Sequence, residues 1–176
     1  MNMKIGHGID IHQLKKNIPL KLAGIHIKSN LGIVGHSDGD AVIHAIVDSI
    51  LGGLAKGDIG TFFPSNDNKW ANCDSLIFLE KTLTIMGEEE YEILNLDVNI
   101  VLQTPHINSY IYLMRENLSK IMNLHIDNIS IKATTSDKLG FIGASKGIMT
   151  TSTILLSKIQ WKLEQDLHQV QLAIFT

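Results

Sequence analysis

The sequence predicts an α/β or α+β sandwich, in which a β-sheet packs against helices. Segments with the alternation and β-branched residues typical of strands are interleaved with segments of helical spacing. The length of 176 residues fits a single domain, and no internal repeat or linker divides the chain. The hydrophobic share of 44% and the charged share of 19% are ordinary for a globular domain.

The strand pattern occurs five times along the chain. The predicted strands cover residues 3–12, 20–27, 91–102, 128–134 and 147–157. The first two are expected to form a hairpin through Asn17-Ile18-Pro19. Loops are expected over residues 28–36, 58–70 and 136–143.

The first predicted helix begins at Ser37, which is a good N-cap. Asp40 follows three residues later, in a capping-box-like arrangement that also suits the positive end of a helix. Its buried stripe is expected to consist of Val42, Ile43, Ile46, Val47, Ile50, Leu51 and Leu54.

Two further helices are predicted, over residues 75–86 and 109–122. Asp74 is expected to cap the first of these and Gly87 to end it.

Composition excludes several classes of function. The net charge of −3 argues against a general nucleic-acid binder, which would show a basic patch. Cys73 is the single cysteine, so no internal disulfide framework or cysteine-rich zinc site is expected. No apolar run approaches the ~18 residues of a membrane span, and the first residues show a strand pattern and not a signal peptide. We therefore expect a cytoplasmic protein without a membrane partner, in which any metal is held by histidine and carboxylate.

Asp10 and His12 form the most informative pair in the sequence. Residues two apart on a strand point to the same face, so their side chains are expected to project together. A carboxylate and an imidazole are two ligands of a typical zinc site, and His44 is the candidate third ligand. Gly6 and Gly8 indicate close approach of another backbone or a ligand. The alternative is a solvated strand end.

Two acidic residues flank His44 on the same face of the first predicted helix. Asp40 and Asp48 lie four residues before and after it, so either is a candidate to orient the imidazole. The alternative is a half-exposed surface histidine between two solvated acids.

The run Lys132–Lys138 follows a predicted strand with hydroxyls, a carboxylate and cations. Asp137 suits a hard cation such as Mg²⁺ that also binds substrate phosphates. Alone, this run is typical of an ordinary strand end. Together with the zinc triad, it indicates a metal-dependent enzyme that acts on phosphate groups.

Five motifs carry a family resemblance, in order from residue 4 to about 158. They are Gly6-His7-Gly8-Ile9-Asp10-Ile11-His12; His36-Ser37-Asp38-Gly39-Asp40 with His44; Gly57-Asp58-Ile59-Gly60 with Phe63-Pro64; Gln103-x-Pro105; and Lys132-Ala133-Thr134-Thr135 with Lys138-Leu139-Gly140-Phe141. In these motifs the chain resembles the 2-C-methyl-D-erythritol 2,4-cyclodiphosphate synthase family of the non-mevalonate isoprenoid pathway.

The resemblance implies an α+β, ferredoxin-like protomer with a mixed sheet, in a homotrimer whose active sites lie between subunits. It implies conversion of 4-diphosphocytidyl-2-C-methyl-D-erythritol 2-phosphate to the cyclic diphosphate and CMP. Zinc, or another divalent transition metal, would be bound by Asp10, His12 and His44. A Mg²⁺ or Mn²⁺ ion would be held by Asp137, where the family has glutamate.

The resemblance also assigns roles to side chains outside the metal sites. His36 and Thr135 match positions that stabilise the transition state, and residues 63–67 match a mobile loop over the substrate. Leu102–Asn108 and Ala133–Thr135 would form the cytidine pocket. The implied substrate-binding residues are Ser37, Asp58, Ile59, Gly60, Phe63, Asp67, Leu102, Gln103, Thr104, Pro105, His106, Ile107, Asn108, Ala133, Thr134 and Phe141.

The chain departs from the family pattern at several positions. His106 replaces a usual lysine, Asp137 a glutamate and Ala144 a frequent arginine; Lys146 and Ser65 also differ. These departures suggest a non-catalytic zinc-binding trimer as one alternative to the synthase. The other alternative is a zinc phosphohydrolase that uses the same triad with water as nucleophile. Residues 1–160 are the expected synthase domain. Residues 161–176 are an extension of unknown role with helical spacing.

Overall fold

The computed structural model describes residues 2–159, and its centre is one mixed five-stranded sheet. The strand order is β4-β1-β7-β5-β6. The strands are β1 Met3–Lys16, β4 Leu31–Val34, β5 Tyr91–Val101, β6 Ile129–Thr134 and β7 Gly147–Lys158. β5 and β6 are parallel, whereas the other neighbours are antiparallel. The predicted α+β class is confirmed.

The helices cover one face of this sheet, and the pattern of β1 shows why. Alternate residues point to opposite faces of a strand. Gly6 and Gly8 lie against helix α1 (Ala41–Gly53), whereas Ile5, Ile9 and Ile11 are exposed on the other face. Two more long helices complete the layer, α3 Ser75–Glu88 and α4 Ile111–Met122. The apolar core lies between the sheet and these helices.

Helix α1 begins at a different residue from the one predicted. Its N-cap is Asp40, whose carboxylate accepts from the backbone N–H groups of Val42 and Ile43, so the prediction of Ser37 is wrong. Asp40 is suited to this place because Ala23 and Gly24 also donate to it, from a neighbouring turn. All seven residues of the predicted stripe are buried.

The predicted hairpin between residues 3–12 and 20–27 is also wrong. β1 extends to Lys16 and pairs with β4, within the predicted loop 28–36. The segment 20–27 forms its own small hairpin of β2 (Leu20–Leu22) and β3 (Ile25–Ile27). Ala23 and Gly24 both have positive φ, which makes this turn tight enough to pair the two short strands with each other.

Smaller differences occur at the other boundaries. Gly87 lies inside α3, which continues to Glu88, although Asp74 caps the helix as predicted. Two of the predicted loops contain single helical turns, α2 Ile59–Phe62 and α5 Gly140–Gly143. Within residues 2–159, no helix has the length and apolar character needed to cross a bilayer. The predicted extension over 161–176 lies outside the described residues.

Candidate metal and substrate site

The close contact between β1 and α1 depends on two glycines. A Cβ built on Gly8 would lie 2.1 Å from the Ala45 carbonyl oxygen, and one on Gly6 would lie 1.7 Å from the Ser49 carbonyl oxygen. Real side-chain atoms do not approach backbone this closely, so only glycine allows this packing. The helix therefore lies directly on the strand, and His44 is brought beside Asp10 and His12, which follow the two glycines on the same face of β1.

Asp10, His12 and His44 meet at this contact. His12 Nδ1 lies 2.6 Å from Asp10 Oδ2, and His44 Nδ1 lies 3.7 Å from Asp10 Oδ1. One ligand atom from each residue lies within 4.8 Å of the others. Two imidazoles and one carboxylate fit a divalent transition metal and leave a fourth position for substrate or water. The prediction that these three side chains share one place is confirmed.

Electrostatics in this cluster favours charge on both sides of the Asp10–His44 contact. Burial raises the pKa of Asp10, but the hydrogen bonds and charges of the two histidines outweigh burial and lower it below its usual value. Burial lowers the pKa of His44, but its contact with Asp10 outweighs burial and raises it. A divalent cation would compete with the protons held here, so metal binding is expected to release protons.

A cleft of about 300 Å³ opens beside the triad. Its lining includes most of the residues predicted for the phosphate and erythritol end of the substrate. They are Asp10, His12, His36, Ser37, His44, Ile59, Gly60 and Phe63, joined by Ser65, Trp70 and Phe78. The three candidate metal ligands and several hydroxyl or imidazole groups thus line one cleft.

The far wall of the cleft is aromatic. Phe63 stacks on Phe78 with ring centroids 4.6 Å apart, and Trp70 meets Phe63 edge-on at 5.2 Å. All three rings are buried. The predicted mobile loop over residues 63–67 is therefore anchored in the core at Phe63, and the loop beyond it is anchored at Trp70.

The two predicted residues Asp58 and Asp67 lie at the ends of the segments around the cleft and are exposed. Asp58 accepts from the Thr61 backbone N–H at 2.9 Å and caps the turn that carries Gly60. The Asp67 carbonyl oxygen accepts from His36 Nε2 at 3.3 Å. Both residues therefore support side chains or backbone of the cleft wall.

The expectation that Asp40 or Asp48 binds the His44 imidazole is wrong. Asp40 is fully buried and its oxygens accept from four backbone N–H groups. Asp48 accepts from the Ile59 backbone N–H at 2.7 Å. The partners of His44 Nε2 are instead two hydroxyls, Ser75 Oγ at 2.9 Å and Ser37 Oγ at 3.1 Å.

A second cavity, of about 180 Å³, lies where β5 and β6 end. It is lined by residues that the resemblance assigns to the cytidine pocket. They are Leu102, Pro105, His106, Ile107, Asn108, Ala133, Thr134 and Thr135. Parallel pairing of β5 with β6 brings their carboxyl ends, and hence these two segments, together.

Four further predicted residues lie outside the linings of both cavities. Gln103 accepts from the Lys138 backbone N–H at 3.1 Å, and Thr104 lines a neighbouring groove. Phe141 is half exposed and packs near Gly147. Asp137 is exposed, has a positive φ of 50°, and its carboxylate lies 3.4 Å from the Thr135 hydroxyl.

Comparison with known proteins establishes the family. The pattern of the YgbB family matches residues 3–157. The chain belongs to the YgbB family. A 2-C-methyl-D-erythritol 2,4-cyclodiphosphate synthase of Brachyspira hyodysenteriae is 52% identical over 156 residues, which cover 89% of this chain and 99% of that protein.

Solved structures agree with this assignment. The CDP complex of IspF from Plasmodium falciparum is similar with a TM-score of 0.79 and 39% identity, over 90% of this chain and 98% of that one. The bifunctional IspDF of Campylobacter jejuni is similar with a TM-score of 0.86 and 35% identity, over 89% of this chain. This chain covers 42% of that longer protein.

Sequence reasoning missed three residues of this YgbB family site: Ser75, Trp70 and Phe78. Ser75 follows the helix cap Asp74, so its sequence context indicates only the start of a helix. The aromatic residues come from two separate segments and meet through tertiary packing. No spacing along the chain indicates either contact.

Proposed function

We propose that this YgbB family member is a metal-dependent 2-C-methyl-D-erythritol 2,4-cyclodiphosphate synthase, a phosphorus–oxygen lyase that cyclises its substrate. The observation that carries the proposal is the convergence of Asp10, His12 and His44 at a cleft that also contains His36 and Ser37. The relatives' name and the CDP complex of a similar structure support the cytidine substrate.

The reaction is an intramolecular displacement at phosphorus. An oxygen of the 2-phosphate of 4-diphosphocytidyl-2-C-methyl-D-erythritol 2-phosphate bonds to the β-phosphorus. The bond from the β-phosphorus to the bridging oxygen breaks, and that oxygen leaves with CMP. The phosphate is already an anionic nucleophile, so the main task is to fold the substrate. Alignment of this kind can contribute roughly 7–11 kcal/mol.

The residues of the cleft would hold the reacting phosphates in place. When bound, a zinc-type ion at Asp10, His12 and His44 and a Mg²⁺ or Mn²⁺ ion at Asp137 would neutralise charge on the phosphoryl oxygens. His36 and Ser37 would donate to phosphate oxygens in the cleft, and Thr135 would do so beside the nucleotide. Asp58 and the backbone at Gly60 would bind the erythritol hydroxyls.

The site is proposed to be completed by a neighbouring subunit. His36 lines the first cavity and Thr135 the second, and one substrate must reach both. Asp10 lines the first cavity and Ala133 the second. Asp10 pairs with Thr150 on β7, which pairs with Ile100 on β5, which pairs with Ala133 on β6, so the two cavities are three strand spacings apart, or roughly 14 Å. A homotrimer that joins the first cavity of one chain to the second cavity of the next would bring the two halves together.

The sheet face opposite the helices supports such an assembly. Ile5 is 73% exposed, and Ile9 and Ile11 are 54% exposed each. Because exposed apolar patches of this kind mark contact surfaces, we infer that this face packs against other copies of the chain.

The triad is tested by replacing His12, which is only partly buried, with alanine. His12→Ala is expected to lose bound zinc and to reduce CMP release from the cytidyl substrate by at least about 100-fold, since a ligand is removed. His26→Ala, at an exposed position of β3, is the matched control and should keep both. Zinc is measured by elemental analysis, and folding by thermal unfolding. Full zinc content and turnover in folded His12→Ala would refute the site.

A further inference from the structure

The side of His44 that faces away from Asp10 lies against buried hydroxyls. His44 is 7% exposed and Ser75 is fully buried. Ser75 Oγ lies 2.9 Å from His44 Nε2 and also contacts Asp38 Oδ1 at short range. A histidine ligand commonly uses its second ring nitrogen for a hydrogen bond that fixes its orientation.

These contacts form the series Lys21–Asp38–Ser75–His44. The direction of each hydrogen bond in it follows from the charged pair at the Lys21 end. Lys21 Nζ donates to Asp38 Oδ2 at 2.8 Å, so Asp38 is present as a carboxylate, which only accepts. The Ser75 hydroxyl must therefore donate its hydrogen to Asp38. Its oxygen is then left to accept, and the group facing it is Nε2–H of His44.

This order leaves the other ring nitrogen of His44 as the metal-facing one. With the proton on Nε2, Nδ1 carries the lone pair, and Nδ1 is the atom that lies 3.7 Å from Asp10 Oδ1. Ser37 Oγ, 3.1 Å from Nε2, accepts from the Gly39 backbone N–H and is a second acceptor for the same imidazole proton.

Lys21 and Asp38, at the end of the series remote from His44, are held in place by contacts with several segments. Lys21, from the β2–β3 hairpin, also pairs with Asp74 at 2.7 Å. Asp74 in turn accepts from the Leu76 backbone N–H and caps α3. The Asp38 backbone N–H donates to the Cys73 carbonyl oxygen at 3.0 Å. The acceptor of the Ser75 hydroxyl is therefore held in place by the fold and not by a mobile surface side chain.

We propose that Ser75 is a positioning residue for the metal site, and that the series Lys21–Asp38–Ser75 holds His44 in the tautomer that presents Nδ1 to the metal. The proposal rests on the proposed function, because it assumes that His44 is a ligand. It assigns a role to the small β2–β3 hairpin, which supplies the cation at the end of the series.

Zinc affinity provides the first test, measured by competition with a chromophoric chelator on the full chain. Ser75→Ala is expected to weaken zinc binding 10- to 100-fold, the range found when a partner of a ligand histidine is removed. Thr82→Val is the matched control, because Thr82 is equally buried on the same helix and its hydroxyl binds only the Phe78 carbonyl oxygen among the described contacts. It should bind zinc as the wild type does.

The outcomes separate this proposal from the proposed function. Unchanged affinity in folded Ser75→Ala, with zinc lost in His12→Ala, would overturn the positioning role and leave the metal site standing. A wild-type chain that binds no zinc would overturn both. Equally weakened zinc binding in Ser75→Ala and Thr82→Val would also overturn the positioning role, since loss of any buried hydroxyl of α3 would then have the same effect.

A second measurement needs no variant. Long-range ¹H–¹⁵N NMR of the zinc-loaded wild type should show His44 protonated at Nε2 and metal-bound at Nδ1. Protonation at Nδ1, with zinc on Nε2, would overturn the proposal even if Ser75→Ala fails to fold.

Discussion

Replacement of Gly8 with alanine should damage the proposed metal site from a position that contributes no ligand. Gly8 lies on β1 directly under α1, and its Cβ would approach the Ala45 carbonyl oxygen to 2.1 Å. Ordinary contact begins near 3.4 Å, so the new atom is 1.3 Å too close. The same Cβ would lie 2.8 Å from the Ser49 backbone nitrogen. Because both close atoms belong to the backbone of α1, the helix itself must move, and not only a flexible side chain.

A movement of about 1 Å at Ala45 carries His44 with it, because the two are consecutive in α1. Metal–ligand distances tolerate only about 0.2 Å. We therefore expect at least about 100-fold weaker zinc binding. Overpacking of this kind typically costs about 1–3 kcal/mol of unfolding free energy, which corresponds to a melting temperature lower by roughly 3–10 °C.

The assay compares zinc affinity and thermal unfolding of the metal-free chain. Gly52→Ala is the control in the same contact region, since its Cβ would meet only the His7 carbonyl oxygen, at 3.8 Å. It should bind zinc normally and gain about 0.5–1 kcal/mol from better helix propensity. Wild-type zinc affinity in Gly8→Ala would refute the argument that the β1–α1 contact forms the site.

Three further predictions concern single residues. Asp40→Ala should lower the unfolding free energy by about 3 kcal/mol or more in urea denaturation, because a helix cap and the acceptor of two further backbone N–H groups are lost together; a loss below about 1 kcal/mol would contradict this. Asp137→Ala should keep zinc but lose magnesium-dependent turnover, and an unaltered magnesium titration would argue against its role. Burial raises the pKa of Asp38, but the hydrogen bonds from Lys21 and Ser75 outweigh burial and lower it. Its contribution to stability is therefore present above roughly pH 4 and lost as pH falls further, and Lys21→Met should make the acid limb of the stability curve shallower.

The sequence was most informative where local spacing determines geometry. Asp10 and His12 share a strand face because strands alternate, and the two glycines beside them predicted close backbone approach, which α1 provides. The ligand roles of the three side chains stay predictions. The buried stripe of α1 was likewise readable from its periodicity.

What the sequence did not predict depends on tertiary partners. Ser37 is a sound cap by local rules, but Asp40 takes the cap because a distant turn supplies two more N–H donors to it. The 20–27 segment was assigned to a hairpin with β1, whereas β1 pairs instead with Leu31–Val34, a short strand with weak local signal. Ser75 on α3 contacts His44 on α1, and no spacing rule relates two residues that lie 31 positions apart in the sequence.

Whether this chain cyclises a cytidyl diphosphate can be followed by ³¹P NMR of the reaction with zinc and magnesium present. We expect the resonances of a cyclic diphosphate together with an equal amount of CMP. Inorganic phosphate in place of the cyclic product would indicate a phosphohydrolase. Unchanged substrate with zinc bound would indicate a non-catalytic binder, and either result would overturn the proposed synthase activity.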